Sequence, residues 1–132
     1  MPTHAHGQGY SDLNFLIPEL VSRVDYKKGP YYAQEGDFSS AGAANFHYFD
    51  SLKQGIGDIT LGSYGYRRTL LANSSELSNG TLLYALEYVG NNGPWENPTR
   101  FAKQNGVLRY TLGSAADRHS VTLMAYQGDW NA

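Results

Sequence analysis

Cysteine is absent from this 132-residue chain, which excludes a disulfide framework and a thiolate metal site and leaves the redox compartment open. No apolar run approaches the roughly 20 residues that a transmembrane helix needs. The N-terminal MPTHAHGQ has neither a charged n-region nor an apolar h-region, so no signal peptide is expected within this segment. A surplus of positive charge is also missing. Ten Lys and Arg stand against 12 Asp and Glu, scattered rather than striped, which excludes the electrostatic footprint of nucleic-acid binding. Catalytic signatures are equally thin: HGQG has no accompanying G-x-S-x-G elbow, Asp117-Arg118-His119-Ser120 is a polar turn without triad geometry, and neither a P-loop nor HExxH occurs. The expectation is a protein that is not an enzyme and holds no cofactor.

Tyrosine and alternation are what the chain has in quantity. Eleven Tyr combine an apolar ring with a wet hydroxyl, which suits a membrane-interface girdle as well as a half-buried sheet. Residues 1–12 read as a polar, glycine-rich loop. Pro18 suits a first helical position and Glu19 the positive end of a helix dipole, with Ile17, Leu20 and Val21 on one face, so a short helix is expected to end near Arg23. Alternation over residues 23–27 predicts a strand stopped by Gly29-Pro30, and residues 43–49 predict another.

A change of character near Gln54, at QGIGD, divides the chain into segments 1–53 and 54–132. Strands are expected at 58–64, 66–77, 81–90, 105–113 and 120–127, with a tight turn at Ser78-Asn79-Gly80 and a long loop over 91–104. On 81–90, Leu82, Tyr84, Leu86 and Tyr88 share one face and Leu83, Ala85, Glu87 and Val89 the other; on 106–113, Leu108, Tyr110 and Leu112 oppose Val107, Arg109 and Thr111. Strands of 9–11 residues are long enough to cross a bilayer when tilted, and an Arg on a lipid face at mid-depth costs roughly 2–4 kcal/mol. Leu and Tyr are therefore assigned outward, Glu87 and Arg109 inward. The pattern leaves facing open in 66–77 and 120–127.

The run LIPELVSRVDYKKGPYYAQEGDFSSAGAANF, residues 16–46, resembles the C-terminal part of the plug domain of TonB-dependent outer-membrane receptors, whose usual form is helix, "RVEVLRGP", a glycine-rich turn, then "GAINI". Arg23, Val24 and Asp25, then Lys28, Gly29 and Pro30, Gly36, and Gly42 to Phe46 including Asn45 carry the match. GDITLGSYGYRR, residues 57–68, resembles the family's first barrel strand and first tight loop. The resemblance implies a mainly β chain: a fragment of an antiparallel transmembrane β-barrel of about 22 strands, preceded by part of a small α+β plug. It implies active transport of a scarce nutrient, most often a ferric siderophore, across the bacterial outer membrane. The partners implied are outer-membrane lipid, that small-molecule ligand, and TonB with ExbB and ExbD acting through a region upstream. It places His4, His6, Gln8 and Tyr10 in an apical loop facing the ligand vestibule. An isolated fragment of this kind is expected to form no functional pore and to aggregate.

The residues themselves add candidates. Trp95 with Arg100 in NNGPWENPTR offers an aromatic face and a cation for an anionic chelate or a sugar, or a rim anchor. His4 and His6, one residue apart, point away from each other in an extended loop and make no metal site. Asp25, Lys27 and Lys28 against Glu87 and Arg109 suggest ion pairs that latch plug to wall, individually weak in a wet lumen. Gly29, Gly36 and Gly42 suit turns of positive φ or close approach. A soluble β-rich carbohydrate-binding module is the alternative from a different class, distinguished by a self-contained core and protected sheet edges.

Overall fold

The computed structural model describes residues 12–35, 41–113 and 117–131. The chain is mainly β, with antiparallel pairing throughout its two sheets. Residues 17–49 form one compact unit, and residues 14–16 together with those from 50 onward form the other.

The first unit is a two-stranded ribbon, β1 (Val21–Lys28) and β2 (Gly42–Tyr48). Pro18 does open a turn, but it is a single 3-10 turn, Pro18–Leu20, that closes with the Val21 N–H on the Pro18 carbonyl. The expected helix to Arg23 does not form, and β1 begins two residues earlier than expected. Ile17 provides no side-chain cap, one turn is too short to repay helix nucleation, and Val21 and Val24 are β-branched residues that favour the ribbon. Ile17 and Leu20 are fully buried. The end of the ribbon where β1 is connected to β2 requires glycine: Gly42 has φ +134°, and a Cβ there would run into the Lys27 carbonyl oxygen. Gly29, φ +83°, leaves β1, and its N–H donates to the Ala41 carbonyl at 3.0 Å.

The second unit is a five-stranded meander in sequence order: β3 (Ile56–Leu61), β4 (Arg67–Leu77), β5 (Gly80–Asn91), β6 (Phe101–Gly113) and β7 (Arg118–Asp129). Residues 62–64, expected at the end of the first strand, instead turn the chain, with Tyr64 at φ 56°. β6 starts at Phe101 rather than 105, which shortens the expected loop to residues 92–100. Phe101 to Gln104 look polar and irregular alone, but they lie opposite Asn91 to Tyr88 and extend the ladder.

Register sorts the side chains into two faces. One carries Leu70, Ala72, Leu83, Ala85, Val89 and Val107, all buried, together with buried Glu87, Asn105 and Thr111. The other carries Ile59, Leu61, Leu71, Leu82, Tyr84, Leu86, Tyr88, Leu108, Tyr110, Leu112, Val121 and Leu123. Most of these are exposed; Leu86 stands 66% open and Leu123 63%. Facing in β4 is thereby resolved: Leu70 opposes Glu87 on the covered face and Leu71 opposes Leu86 on the open one. In β7 the open face carries Val121 and Leu123, while Met124 lies on the charged side opposite Val107 and is also exposed.

Candidate functional site

Charge is concentrated on the covered face. Asp58, Arg68, Glu76, Glu87, Lys103, Arg109 and Arg118 all have that parity, whereas only Arg67 and Asp129 lie on the Leu/Tyr face, both in its last row at one border. Arg67 is itself occupied there, donating to the Tyr88 hydroxyl at 3.0 Å and sitting 5.6 Å from the centre of its ring.

Two clusters organise the charged face. In the first, the Glu87 carboxylate, 2% exposed, accepts from Arg68 Nε at 2.8 Å and Nη2 at 2.7 Å, from Asn105 Nδ2 at 2.8 Å, and pairs with Lys103 Nζ at 3.2 Å. Asn105 Nδ2 and Lys103 Nζ also donate to the Asn14 carbonyl, at 2.8 and 3.1 Å, so a backbone oxygen of the 14–16 segment is seated in the cluster. The buried Asn105 Oδ1 has no partner among the described residues.

The second cluster closes on Asp50. Its Oδ1 accepts from Arg109 Nη2 at 2.8 Å and Nε at 3.2 Å and from the Thr111 hydroxyl at 3.1 Å, while Oδ2 accepts from Arg118 Nη1 at 2.5 Å. Arg109 Nη1 continues the network to Thr122 at 2.8 Å. Burial pushes the Asp50 carboxyl up, but the bonds from Arg109 and Thr111 and the charges of Arg109 and Arg118 outweigh it and hold it below the ordinary carboxylate value. Two residues on, Leu52 exchanges bonds with the Ser74 hydroxyl, N–H to Oγ at 2.9 Å and Oγ to carbonyl at 3.2 Å. The segment entering β3 is therefore fixed to β4, β6 and β7 by side chains before its own strand begins.

Of the expected site residues, Glu87 and Arg109 do lie on the charged face, but they belong to different clusters. Asp25, Lys27 and Lys28 belong to the other unit. Asp25 pairs with Arg23 and His47, each at 2.9 Å, and Lys27 with Glu35 while stacking 5.3 Å from the Tyr32 ring. The Lys27 hydrogen bond holds the Glu35 carboxyl below its usual value, against a weaker opposing effect of burial. Arg23 on β1, His47 on β2 and Glu35 in the following 3-10 turn supply these counter-charges within the ribbon unit. Asn45 sits opposite Asp25, Lys28 ends β1, and Pro30 follows Gly29 out of the ribbon.

Trp95 and Arg100 fall on the 92–100 loop and are exposed, Trp95 to 65% with its ring against Gly93. This end of the sheet is laced by backbone bonds, Asn92 N–H to the Tyr64 carbonyl at 2.9 Å, Thr99 N–H to Asn92 at 2.9 Å and Asn131 N–H to Thr99 at 2.7 Å. Arg100 takes φ 46°, a conformation that turns the chain into β6. His4, His6, Gln8, Tyr10 and Gly36 lie outside the described residues.

Asp50, Arg68, Lys103, Asn105 and Arg118 are the residues that sequence reasoning missed. Arg68 and Lys103 were within reach, because each is one same-face step from a residue directly opposite Glu87, Leu70 or Asn105. Asp50 carries no such signal. No family model, curated protein or solved structure matches the chain.

Proposed function

We propose that this chain is the last part of a plug and the first five wall strands of a TonB-dependent outer-membrane receptor, acting in the uptake of a scarce nutrient, a ferric siderophore in the leading case. The observation that carries the reading is the inverted sheet: charges on the covered face and a continuous band of Leu, Ile, Val and Tyr on the open one. In water such a band is an unsatisfied surface far larger than scattered apolar residues make; against lipid it is the required surface, and the paired charges belong to the interior.

The slant of the band supports the same reading. Its centre moves from Ile59 and Leu61 on β3 to Val121 and Leu123 on β7, three same-face rows along the register. That drift is about 20 Å across four strand spacings totalling about 19 Å, so the band crosses the strands at about 45°. A barrel whose strands tilt 35–45° needs this slant for its apolar belt to lie parallel to the membrane. Connection lengths agree: residues 62–66 and 92–100 join strands at one end, and 78–79 and 114–117 at the other, as expected of longer outer loops and shorter periplasmic turns.

The N-terminal loop residues His4, His6, Gln8 and Tyr10, with Trp95 and Arg100, remain the ligand-side candidates of this reading, and TonB with ExbB and ExbD its energy-coupling partners. The exposed Trp95, on a loop that also carries Arg100, is the feature that favours a soluble carbohydrate-binding module instead. One experiment separates them. Single cysteines at Leu86, Leu108 and Leu123, and at Ala85, Val107 and Thr122 on the other face, carry an environment-sensitive fluorophore in the chain reconstituted with phosphatidylcholine vesicles containing chain-brominated lipid. Quenching of the first set alone supports the wall; no quenching at either set sinks it and leaves the soluble module.

A further inference from the structure

The Leu/Tyr face is not evenly padded. One row across it reads Gly57, Leu71, Leu86, Gly106 and Ala125, from β3 to β7. Glycine weakens the interior of a strand, and at Gly106 the backbone gives no reason for it: φ is not positive, and a Cβ would meet only the Leu86 side chain, at an ordinary 3.6 Å. What the missing side chain leaves is room for something to approach closely. Two open hollows, of about 660 and 790 Å³, share Leu71, Leu86, Gly106 and Ala125, and the smaller runs on to Tyr88. Two same-face rows further along, about 14 Å up the strands, stands Arg67, the one cation of this face among the described residues. Its guanidinium lies over Gly90, where a Cβ would come within 3.0 Å of Nε, and Nη2 donates to the Tyr88 hydroxyl at 3.0 Å. Tyr88 accepts there and keeps its own proton to donate. Among the described residues no carboxylate pairs with Arg67. Asp129, at the far end of the same row, is three strand spacings away, about 14 Å.

We propose that this face carries a seat for one membrane lipid with a phosphate head: Arg67 and Tyr88 hold the phosphate, and an acyl chain lies down the strands in the hollow over Gly106 and Ala125. The seat deepens the transport reading and rests on it, because it requires the open face to meet lipid. Charge selects the occupant. With Nε and Nη2 turned to the tyrosine, the Nη1 side of the guanidinium fork is left for phosphate oxygens, the anion whose geometry it matches. From there the hollow runs into a surface of Leu, Gly and Ala without another charge, which matches an apolar tail. A peptide segment laid in the same place would strand its backbone N–H and C=O groups over Leu86, Gly106 and Ala125. The level agrees as well, since a cation on a lipid-facing strand is tolerated toward the membrane border, where headgroups and interfacial tyrosines lie.

The full chain in dodecyl maltoside micelles is titrated with dioleoyl phosphatidic acid, with dioleoylglycerol, which has the same chains and no phosphate, and with inorganic phosphate; native mass spectrometry counts what is bound. One phosphatidic acid per chain is expected, at least tenfold tighter than dioleoylglycerol and not displaced by millimolar inorganic phosphate. Arg67→Gln is expected to abolish that preference while dioleoylglycerol binding stays as it was. Gly106→Leu and Ala125→Leu, each of which fills the hollow, are expected to weaken both lipids at least tenfold. Lys53→Gln, which removes a like charge elsewhere in the same unit, should change neither. Circular dichroism checks that each variant keeps its β content. Equal affinity for the two lipids, an undiminished preference in Arg67→Gln, or displacement by inorganic phosphate, which would make Arg67 a simple anion site, would each overturn the seat. Failure of the wall reads differently: a chain whose Leu86, Leu108 and Leu123 labels are quenched by brominated lipid but which shows no preference for phosphatidic acid is a wall without a seat.

Discussion

Replacing Glu87 by Gln tests whether the charged face is a covered interior. The carboxylate is 2% exposed and sits between two cations, Arg68 and Lys103, that are themselves only 15% and 13% exposed. Glutamine keeps the volume but turns an amide toward one of them, leaving positive charge in a site with little water. Removing one partner of a buried ion pair costs about 3–5 kcal/mol; because both cations retain some solvent, the lower end applies, about 3 kcal/mol. With a urea slope of about 2 kcal/mol per molar, the unfolding midpoint drops by about 1.5 M. The two tryptophans, Trp95 and Trp130, both belong to the five-stranded unit, so their fluorescence in detergent-solubilised chain reports its unfolding. Glu76→Gln, at an exposed carboxylate whose recorded bond is from Thr81 at 3.1 Å, is the control and should stay within about 0.5 kcal/mol. Glu87→Met combined with Arg68→Met and Lys103→Met should recover most of the loss, since apolar groups of similar volume can replace a complete buried cluster. A Glu87→Gln midpoint indistinguishable from the parent would refute the reasoning, because it would mean that water reaches the cluster freely.

The Asp50 cluster gives a weaker, pH-dependent effect. Because the folded carboxyl is held below its ordinary value of 3.8, its contribution is complete above that value and is lost as pH falls through the depressed folded value; Asp50→Asn should lose about 1 kcal/mol at pH 7, discounted for the half-exposed Arg118, and the difference from parent in urea melts should vanish at the acid end. Gly42→Ala should destabilise the β1–β2 ribbon by about 1–3 kcal/mol, since an L-residue at φ +134° is strained and its methyl meets the Lys27 carbonyl; faster amide exchange confined to residues 21–28 and 42–48 is the readout. Leu86→Arg discriminates the two media: on a water-facing sheet an exposed position tolerates it within about 0.5 kcal/mol, whereas at mid-bilayer it costs about 2–4 kcal/mol, measured as the change in refolding free energy into vesicles.

Legibility in the sequence followed the range of the interactions. β5 was readable almost to the residue because a two-residue turn, a clean alternation and a single charge on one face agree. β4 was readable as a strand but not in facing, since Leu70 and Leu71 are adjacent leucines and only the pairing of Leu70 with Glu87 separates them. The start of β6 was missed because Phe101 to Gln104 become strand through their partners on β5, not through propensity. The residues after Pro18 stop at a single 3-10 turn for the converse reason, a favourable first turn with nothing to propagate it. Asp50 lay beyond reach altogether: it is an isolated acid in a turn, and its meaning comes from Arg109 and Arg118, 59 and 68 residues away.

The sign of the charges on the covered face narrows what can lie against it. Asp50, Asp58, Glu76 and Glu87 are matched in number by Arg68, Lys103, Arg109 and Arg118, and six of these eight, all but Asp58 and Glu76, are bonded to one another within the two clusters. An open channel that selects ions needs a ring of one sign facing water. Here the acids and bases cancel locally, a backbone carbonyl at Asn14 is taken into one cluster, and the segment at Asp50 is tied into the other. Neutral, mutually satisfied polar groups are the surface against which another part of a protein can pack without stranding a charge. That property suits a face packed against another part of a protein better than one left lining open water, where locally cancelled charges would gain nothing from being paired.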